Sequence, residues 1–297
     1  MIDKKLLKEI KEPGHILMRI NHRYPLFKWM TDEMCLRVWY RITLGKKLDL
    51  QDPKTFNEKL QWLKLYNRKP EYTAMVDKYK VKKYVAERIG EKYVIPTFGV
   101  WNSFDEIDFN MLPKQFVLKC THDSGGLIVC KDKNRLNIEA ARKKITRSLK
   151  KNFFWVGREW PYKNVTPRII AEQYIAENPK DYKLFCFNGV PKMTLVCSDR
   201  FELDGLQEDF FDENWNHLKI KRRLHGNSKF VINPPKNFEQ MKQLAAVLSK
   251  DIPFSRIDFY EIENKIYFGE ITFFPASGFE KFVPQEADKL LGDWIIL

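Results

Sequence analysis

Two carboxylates near the C-terminal end of the chain occupy otherwise apolar positions in strand-like runs. Asp258 lies in the run SRIDFY at 255–260, and Glu270 lies in the run YFGEIT at 267–272. The polar residues 263–265 between the runs are typical of a hairpin turn, so the two carboxylates are predicted to face each other across paired strands. Buried carboxylates require a compensating cation or hydrogen bonds, and Mg²⁺ is usually held by one or two carboxylates plus phosphate oxygens. These residues predict either a Mg²⁺ site or two solvent-facing acids on an edge hairpin.

A second pattern is a lysine followed by a short Ser/Gly loop. Residues 116–120 (FVLKC) and 126–130 (GLIVC) are predicted strands, and residues 121–125 (THDSG) connect them. Glycines allow backbone N–H groups to approach phosphate oxygens, and Lys119 would add a point charge. The pattern favours either a phosphate-covering loop or an ordinary structural hairpin, and it lacks the Gly-Lys-Ser/Thr of a Walker motif.

Two weaker signals flank this loop. Glu172 lies in the second half of a predicted strand at 168–175, and Asp181 directly precedes the next predicted strand. Backbone groups there could pair with an adenine edge, and the acid could accept ribose hydroxyls. A plain connection between domains is the alternative. The pair Asp77-Lys78 lies within a predicted amphipathic helix from 73 to 89, where such pairs are usually solvated.

The composition limits the class of protein and its partners. The chain has 297 residues with 52 basic and 39 acidic side chains, which gives a net charge of +13 and favours an anionic partner. The five cysteines show no metal-binding spacing and mostly lie in apolar runs, which predicts reduced core residues and a cytosolic protein. We find no stretch of roughly 20 apolar residues that would span a membrane and no apolar signal-peptide region.

The pattern of elements predicts an α+β fold with mostly antiparallel sheets. Residues 1–50 are predicted to be largely helical, and the basic, aromatic segment 22–47 is either a membrane-surface contact or a core-facing helix. Thr55 and Glu58 form a capping-box pattern at a helix start. Further helices are predicted at 137–152 and about 237–250. Short strands are predicted at 93–96, 98–101, 182–188, 191–198, 208–212, 256–261 and 265–271. One helical face is predicted to carry Leu26, Trp29, Met30, Met34, Val38 and Ile42.

Taken in order, these elements resemble those of an ATP-grasp enzyme, and longer motifs resemble the TupA-like ATP-grasp family, which is named for teichuronopeptide biosynthesis. The resemblance runs from about residue 40 to the C-terminus. It rests on the motifs PKTFNEKLQW at 53–62, DKY at 77–79, the run from 112 to 119, REW at 158–160, DYKLFCFNG at 181–189 and FGEIT at 268–272.

The resemblance implies two α+β lobes that clasp ATP, with a helical N-terminal extension. It divides the chain into a helical N-terminal region (1–75), a connection that precedes the ATP-grasp fold (76–111), a small lobe with the phosphate loop (112–175) and a C-terminal lobe with the Mg²⁺ site (176–297).

The resemblance also implies a role for each site residue. Asp258 and Glu270 would bind Mg²⁺, with Thr272 at the position where an asparagine is common. Arg256 would stabilise the transferred γ-phosphoryl group, and Lys183 is a second candidate catalytic residue. The implied ATP contacts comprise phosphate ligands, the loop, the adenine-binding hinge and a ribose ligand: Lys78, Lys119, His122, Ser124, Gly125, Gly126, Glu172, Gln173, Tyr174, Ile175 and Asp181. The loop carries Asp123 where we expect a glycine, and an acid there is unfavourable unless it points away from the phosphates.

The implied activity is that of an ATP- and Mg²⁺-dependent carboxylate–amine ligase that forms an amide through an acyl phosphate. The basic surface fits an acidic sugar, so we expect a cytoplasmic enzyme that modifies a bacterial capsular or other cell-surface polysaccharide, or its uronic-acid precursor. An amine or amino acid would be the second substrate. The partners would include no nucleic acid and could include the inner face of a membrane. A glycosyltransferase is one alternative, although no Asp-x-Asp motif is present, and an ATP-grasp kinase acting on a sugar is another. Candidate substrate contacts are Arg158, Glu159, Lys183, Arg200, Arg222 and Arg223.

Overall fold

Two antiparallel sheets organise the protein. The structure is a computed structural model that describes residues 20–21, 27–198, 206–222 and 226–297. The smaller sheet has four strands, with residues 97–101, 169–173, 116–120 and 127–130 as neighbours in that order. The larger sheet has five, with residues 265–272, 254–262, 181–187, 190–198 and 207–212 as neighbours in that order. Every strand pairing within these sheets is antiparallel. The fold is therefore α+β, as the sequence predicts.

The four-stranded sheet carries the Ser/Gly loop. Its strands are β1 (Thr97–Trp101), β2 (Phe116–Cys120), β3 (Leu127–Cys130) and β4 (Ile169–Gln173), and helix α5 (Ile138–Leu149) packs on it. Strand β1 comes from the stretch that we expected to precede the small lobe, yet it pairs with β4. The residues predicted as a strand at 93–96 do not form one. A 3₁₀ turn occupies Glu91–Tyr93 instead.

The five-stranded sheet forms the floor of the C-terminal part. Its strands are β5 (Asp181–Phe187), β6 (Val190–Ser198), β7 (Gln207–Asp212), β9 (Phe254–Ile262) and β10 (Lys265–Thr272). Helix α7 (Phe238–Leu248) packs on this sheet, and a two-residue ladder joins β8 (Lys221–Arg222) to β11 (Phe282–Val283). Strand β5 is buried along its whole length because it lies in the middle of the sheet.

Helix α2 (Phe56–Tyr66) begins at the capping box that the sequence predicts. Thr55 accepts the backbone N–H of Glu58, and the Glu58 carboxylate accepts the backbone N–H of Thr55 at 2.9 Å. The helix packs against α8 (Glu286–Asp293), where Asn57 donates to Asp288 at 2.8 Å. A side chain at Gly292 would meet the Lys54 carbonyl at 2.2 Å. This close approach ties the C-terminal helix to the start of α2.

The predicted helix at 73–89 is two helices. Helix α3 (Glu71–Val76) ends at Asp77, which adopts an extended backbone, and α4 (Lys80–Ile89) follows. The Asp77 carboxylate accepts the backbone N–H groups of Tyr79 and Lys80, and it forms an ion pair with Arg168 at 3.0 Å. Asp77 is therefore buried and caps α4, whereas a single helix would have left it solvated.

Helix α1 (Asp32–Leu44) exposes most of the predicted apolar face, whereas Met30, just before the helix, packs against the buried cluster. Met34, Val38 and Ile42 are exposed, and Trp29 just before the helix is 78% exposed. The buried face carries Cys35, Leu36, Trp39 and Tyr40, which pack against Leu48, Leu50 and Phe279. Both faces are apolar, so spacing alone does not decide between them. The aromatic face is the one that the rest of the chain covers. Leu26, the first residue of the predicted face, lies outside the described residues.

All five cysteines are free and buried, as the apolar runs around most of them predict.

Within the described part of the chain, no helix has the length and apolar character needed to cross a membrane.

The orientation of α1 can be tested with two truncations on its opposite faces. We expect Leu36→Ala, at a fully buried position, to lower the free energy of unfolding by about 2–5 kcal/mol because it leaves a cavity. We expect Val38→Ala, on the exposed face, to change it by less than about 0.5 kcal/mol. Urea denaturation of both variants beside the parent protein measures the difference. Equal losses would contradict the orientation described here.

Candidate active site

A large cavity is lined by residues of both sheets. Its volume is about 670 Å³. One wall comes from the β2–β3 loop and helix α4, and the floor comes from β5, β9 and β10. Of the candidate site residues named from the sequence, the following line it: Lys78, Lys119, Asp123, Ser124, Gly125, Gly126, Glu159, Glu172, Asp181, Lys183, Arg256, Asp258, Glu270 and Thr272. Segments separated by almost two hundred residues therefore share one site.

The two C-terminal carboxylates face each other in this floor. Asp258 on β9 and Glu270 on β10 are direct partners in the strand register. The turn between the strands uses Glu263 and Asn264, both with positive φ, which is the two-residue hairpin geometry that suits the twist of paired strands. The register shifts at Gly269, where a side chain would lie 3.1 Å from the Asp258 carbonyl. The predicted hairpin is thus confirmed, and the edge-hairpin alternative for Asp258 is wrong because that side chain is buried.

Two cations neutralise these carboxylates. Arg256 donates to both Asp258 oxygens at 2.7 Å, and Lys183 lies 2.5 Å from Asp258. The same Nη2 atom of Arg256 also reaches Glu270 Oε1 at 2.9 Å and the Thr272 hydroxyl at 3.1 Å. Oxygens from Asp258, Glu270 and Thr272 therefore converge on one positively charged group.

The pKa values of the cluster follow from burial and from these ion pairs. Burial raises the pKa of Asp258 to about 6, although Arg256 and Lys183 oppose the shift, so the carboxylate is ionised at neutral pH. For Glu270 the balance is reversed. Burial favours the neutral form, but Arg256 and Lys183 hold its pKa at about 2. The pKa of Lys183 is raised because Asp258 and Asp181 outweigh the effect of burial.

Asp123 links the Ser/Gly loop to helix α5. This buried carboxylate accepts the backbone N–H of Gly126 at 3.3 Å and the hydroxyl of Ser148 on α5. Asp123 lines the cavity, but its carboxylate bonds to Ser148 on α5, and this is the orientation that an acid at this position would need beside phosphates. A side chain at Gly126 would meet the Ser148 hydroxyl at 2.5 Å and Cys120 Sγ at 2.7 Å. Gly126 is required for this close approach.

Three lysines meet at the opposite wall: Lys78 before α4, Lys82 on α4 and Lys119 on β2. The Lys78 ammonium donates to the backbone carbonyl of Asp123, and the Lys78 backbone N–H donates to the Thr121 carbonyl at 3.0 Å. Lys119 and Lys82 both pair with Glu172, at 2.5 and 2.6 Å. Burial would raise the pKa of Glu172, but the two ammonium groups lower it, so the carboxylate stays ionised.

Four residues that the resemblance assigns to ATP binding do not line the cavity. The His122 ring is buried, and its Nε2 lies 3.2 Å from the Ser148 carbonyl, so it packs under the loop. Gln173 is exposed, and its backbone N–H already donates to the Pro96 carbonyl at 3.0 Å. Tyr174 and Ile175 follow it, half-buried, beyond the end of β4. Their contact with adenine stays a prediction.

Among the candidate substrate contacts, two arginines have structural partners elsewhere. Arg158 is buried, pairs with Asp32 at 3.1 Å and donates to the Met30 carbonyl, which fixes the segment before α1. Arg222 pairs with Glu208 and with Glu280. Neither lines the cavity, so both interpretations are wrong for this structure. Arg200 and Arg223 lie outside the described residues.

Several lining residues were not predicted from the sequence. Lys82 lies in the first turn of α4, whereas Lys78 lies in the turn before that helix, and both line the cavity. Tyr162 and Ser277 also line the cavity. Ala276 and Ser277 adopt left-handed backbone conformations, with φ of 47° and 55°. Nothing in their local sequence indicates that conformation.

Several solved structures are similar in part to this chain. They include the D-alanine–D-alanine ligase of Bacillus anthracis complexed with ATP, at 15% identity, a TM-score of 0.43, and coverage of 67% of this chain and 55% of that one. The ATP-grasp ligase PsnB with its minimal precursor has 10% identity and a TM-score of 0.41, with 73% and 59% covered. The D-alanine–D-alanine ligase of Helicobacter pylori has 17% identity and a TM-score of 0.39, with 81% and 69% covered. The chain thus spans little more than half of the first two proteins.

The family assignment comes from the sequence. Among curated proteins, none matches the chain. The model of the family described as TupA-like ATPgrasp matches residues 58–296, which include every lining residue named above. This protein therefore belongs to the TupA-like ATP-grasp family.

Proposed function

We propose that this protein is an ATP- and Mg²⁺-dependent carboxylate–amine ligase that forms an amide through an acyl phosphate. The observation that carries the proposal is the cavity itself. One wall carries groups that could bind phosphate, namely Lys78, Lys119 and the backbone of Gly125 and Gly126. The floor carries the paired carboxylates Asp258 and Glu270. Membership of an ATP-grasp family supports the same reading.

ATP would lie between the two sheets. Lys78 and Lys119 would contact the α- and β-phosphates, and the N–H groups of Ser124, Gly125 and Gly126 would cover them. Glu172 would hold adenine together with the following hinge residues, and Asp181 would accept the ribose hydroxyls. Lys82 joins this set because it neutralises Glu172 in the same wall.

The floor residues fit a hard divalent cation. Three oxygens from Asp258, Glu270 and Thr272 converge on one guanidinium nitrogen, which marks a point where positive charge is stabilised. The described residues contain no cluster of three or more His, Cys, Asp or Glu side chains arranged around a metal, so the floor offers two carboxylates and a hydroxyl. Two carboxylates suit Mg²⁺, which takes its other ligands from phosphates and water. Bound there, Mg²⁺ would neutralise the phosphate charge; Arg256 would have to release part of its present contacts.

The chain's own residues would perform phosphoryl transfer mainly by positioning and electrostatics. A substrate carboxylate oxygen attacks the γ-phosphorus, the bond to the β-phosphate oxygen breaks, and ADP leaves. Arg256, on the floor beside Glu270, would stabilise the charge on the transferred group. Lys183, which is 2.5 Å from both Asp258 and Asp181, would keep the floor carboxylates in place and add positive charge.

The substrate would be an acidic sugar of a bacterial cell-surface polysaccharide, such as a capsule, or its uronic-acid precursor, and the reaction would take place in the cytoplasm. The net charge of +13 favours an anionic acceptor. The resemblance to a family named for teichuronopeptide biosynthesis supports a uronic acid joined to an amine or amino acid.

The ligase proposal is tested by an ADP-release screen with Mg-ATP. We would pair D-glucuronate and D-galacturonate with amino acids and simple amines, and add hydroxylamine to trap an acyl phosphate as hydroxamate. We expect ADP release that depends on the uronic acid, with hydroxamate formation. We expect Glu270→Gln to lower the rate at least about 100-fold, because removing one charge-stabilising group costs about that much in catalysis.

Other outcomes of this screen would identify other activities. ADP release with phosphorylated sugar and no hydroxamate would identify a sugar kinase. A requirement for a sugar nucleotide without ATP consumption would identify a glycosyltransferase. Full activity of Glu270→Gln would contradict every version of the reaction that uses Mg-ATP at this floor.

The loop can be tested separately through Asp123. We expect Asp123→Ala to raise the Kd for Mg-ATP about tenfold, because it removes the buried bonds that hold Gly126 and Ser148. Glu139→Ala is the matched control: it removes an exposed carboxylate from α5, the helix that carries Ser148, and should leave the Kd unchanged. Fluorescence titration with a labelled ATP analogue measures both. Equal affinities for Asp123→Ala and the parent protein would show that the loop does not depend on this anchor.

The exposed face of α1 supports contact with an anionic membrane surface. Trp29, Met34, Val38 and Ile42 are exposed there, and the basic residues Lys28, Arg41, Lys46 and Lys47 lie around them. Apolar side chains with surrounding positive charge match the interface of an anionic bilayer. An enzyme that modifies a surface polysaccharide would be placed beside its lipid-linked precursors by such a contact.

Sedimentation with lipid vesicles tests the α1 face. We expect the protein to pellet with phosphatidylglycerol-containing vesicles and to stay in solution with phosphatidylcholine alone. The double variant Val38→Asp, Ile42→Asp should lose this binding because it introduces charge into the apolar face. Val231→Asp is the control, since Val231 is 90% exposed in another region. Undiminished pelleting of the double variant would overturn the proposed contact.

A further inference from the structure

Beside the floor carboxylates, the cavity has a wall that the ATP contacts do not use. It is formed by residues around α6 (Phe154–Gly157) and by the segment that follows β10. Its lining residues are Phe153, Val156, Glu159, Tyr162, Phe274 and Ser277. All but Glu159 and Ser277 are apolar or aromatic. Glu159 lines the same cavity as Arg256 and Glu270, which form part of the floor.

Glu159 is held in a fixed position at this wall. The Ser277 hydroxyl donates to Glu159 Oε1 at 2.8 Å. Ser277 has a left-handed backbone, a conformation that non-glycine residues adopt at a cost and that recurs at functional sites. Gly157 leaves room for this contact, because a side chain there would come within 1.8 Å of the Ser277 hydroxyl.

The fully buried Lys64 supports the arrangement, because its charge stabilises the Glu159 carboxylate across the Ser277 hydroxyl without a direct ion pair. Its ammonium donates to Gln61 Oε1 at 3.0 Å and to the carbonyls of Gly157 and Ser277 at 2.6 and 2.7 Å. Three acceptors use all three of its protons. Burial lowers the pKa of Lys64 and raises that of Glu159. The link between them runs through the Ser277 hydroxyl, 3.3 Å from the ammonium.

Glu159 is therefore a buried carboxylate at a cavity wall, and its neighbouring cation, Lys64, lies behind the Ser277 hydroxyl and does not line the cavity. Glu159 is 5% exposed, and among the described residues no Lys or Arg forms a direct ion pair with it. A buried carboxylate in this position is stabilised by a cationic ligand. The surrounding aromatic side chains suit the carbon skeleton of such a ligand and keep water away.

We propose that Glu159, positioned by Ser277, binds the ammonium group of the amine substrate. This inference rests on the ligase function proposed above. The ammonium would give one proton to Glu159, and the neutral nitrogen would attack the acyl phosphate carbon. The new C–N bond forms, the bond from that carbon to the phosphate oxygen breaks, and the second nitrogen proton leaves with inorganic phosphate. Phe153, Val156 and Phe274 would limit hydrolysis of the acyl phosphate.

The test separates acyl phosphate formation from amide formation. We would use Glu159→Gln with Mg-ATP and the uronic acid and amine that give the fastest ADP release in the screen. Hydroxylamine, which is neutral at pH 7.5, traps the acyl phosphate without an ammonium to bind. We expect hydroxamate formation to stay within about twofold of the parent protein, and amide formation to fall at least about 100-fold. Glu159→Asp should recover part of the amide formation, and a thermal unfolding scan checks that each variant folds.

Each result has a distinct meaning. Loss of amide with retained hydroxamate supports the amine subsite. Retention of both products, or equal loss of both in a folded Glu159→Gln protein, overturns it. Failure of the parent protein to form hydroxamate with any uronic acid is a failure of the ligase proposal itself, and the amine subsite would fall with it. Glu139→Gln, a substitution at an exposed carboxylate, should change neither product.

Discussion

Charge neutralisation across three adjacent strands is the constraint on which the candidate site depends. Lys183 on β5 is the register partner of Asp258 on β9, and Asp258 is the partner of Glu270 on β10. Arg256 lies two residues before Asp258 on the same face. With Asp181, which also pairs with Lys183, three carboxylates and two cations share this floor. An isolated buried charge there would cost several kcal/mol, whereas Asp258 is compensated by both cations. A slip of one residue in any of these strands would move its charge to the opposite face of the sheet.

The same arrangement is compatible with the proposed binding of Mg²⁺ at this floor. The contacts of Arg256 are shared among Asp258, Glu270 and Thr272, so an incoming cation would replace some of them and leave each carboxylate beside a positive charge. The hairpin turn and the irregularity at Gly269 set the height of Glu270 relative to Asp258. Local backbone geometry thus controls where the oxygens converge.

Helix α4 connects this floor to the wall that carries the Ser/Gly loop. Lys78, in the turn before the helix, contacts the loop, and Lys82, in its first turn, contacts Glu172 in the four-stranded sheet. On its other side Tyr84 donates to the Leu248 carbonyl at the end of α7, which packs on the five-stranded sheet. The capping contact of Asp77, buried by Arg168, fixes where α4 begins. Because this contact fixes the turn that precedes α4, it places Lys78 in that turn and Lys82 on the helix at the cavity wall.

The sequence by itself determined the features that depend on neighbours along the chain. The capping box at Thr55, the strand that ends near Lys119 and the hairpin that pairs Asp258 with Glu270 follow from local turn chemistry and alternation, and the longer motifs identify the family. Tertiary structure alone decided which apolar face of α1 is buried, where Asp123 points, and that Glu159 meets Ser277, 118 residues away, and Lys64 meets Ser277, 213 residues away. Those outcomes depend on which distant surfaces exclude water from each other, and periodicity within one segment carries no information about that choice.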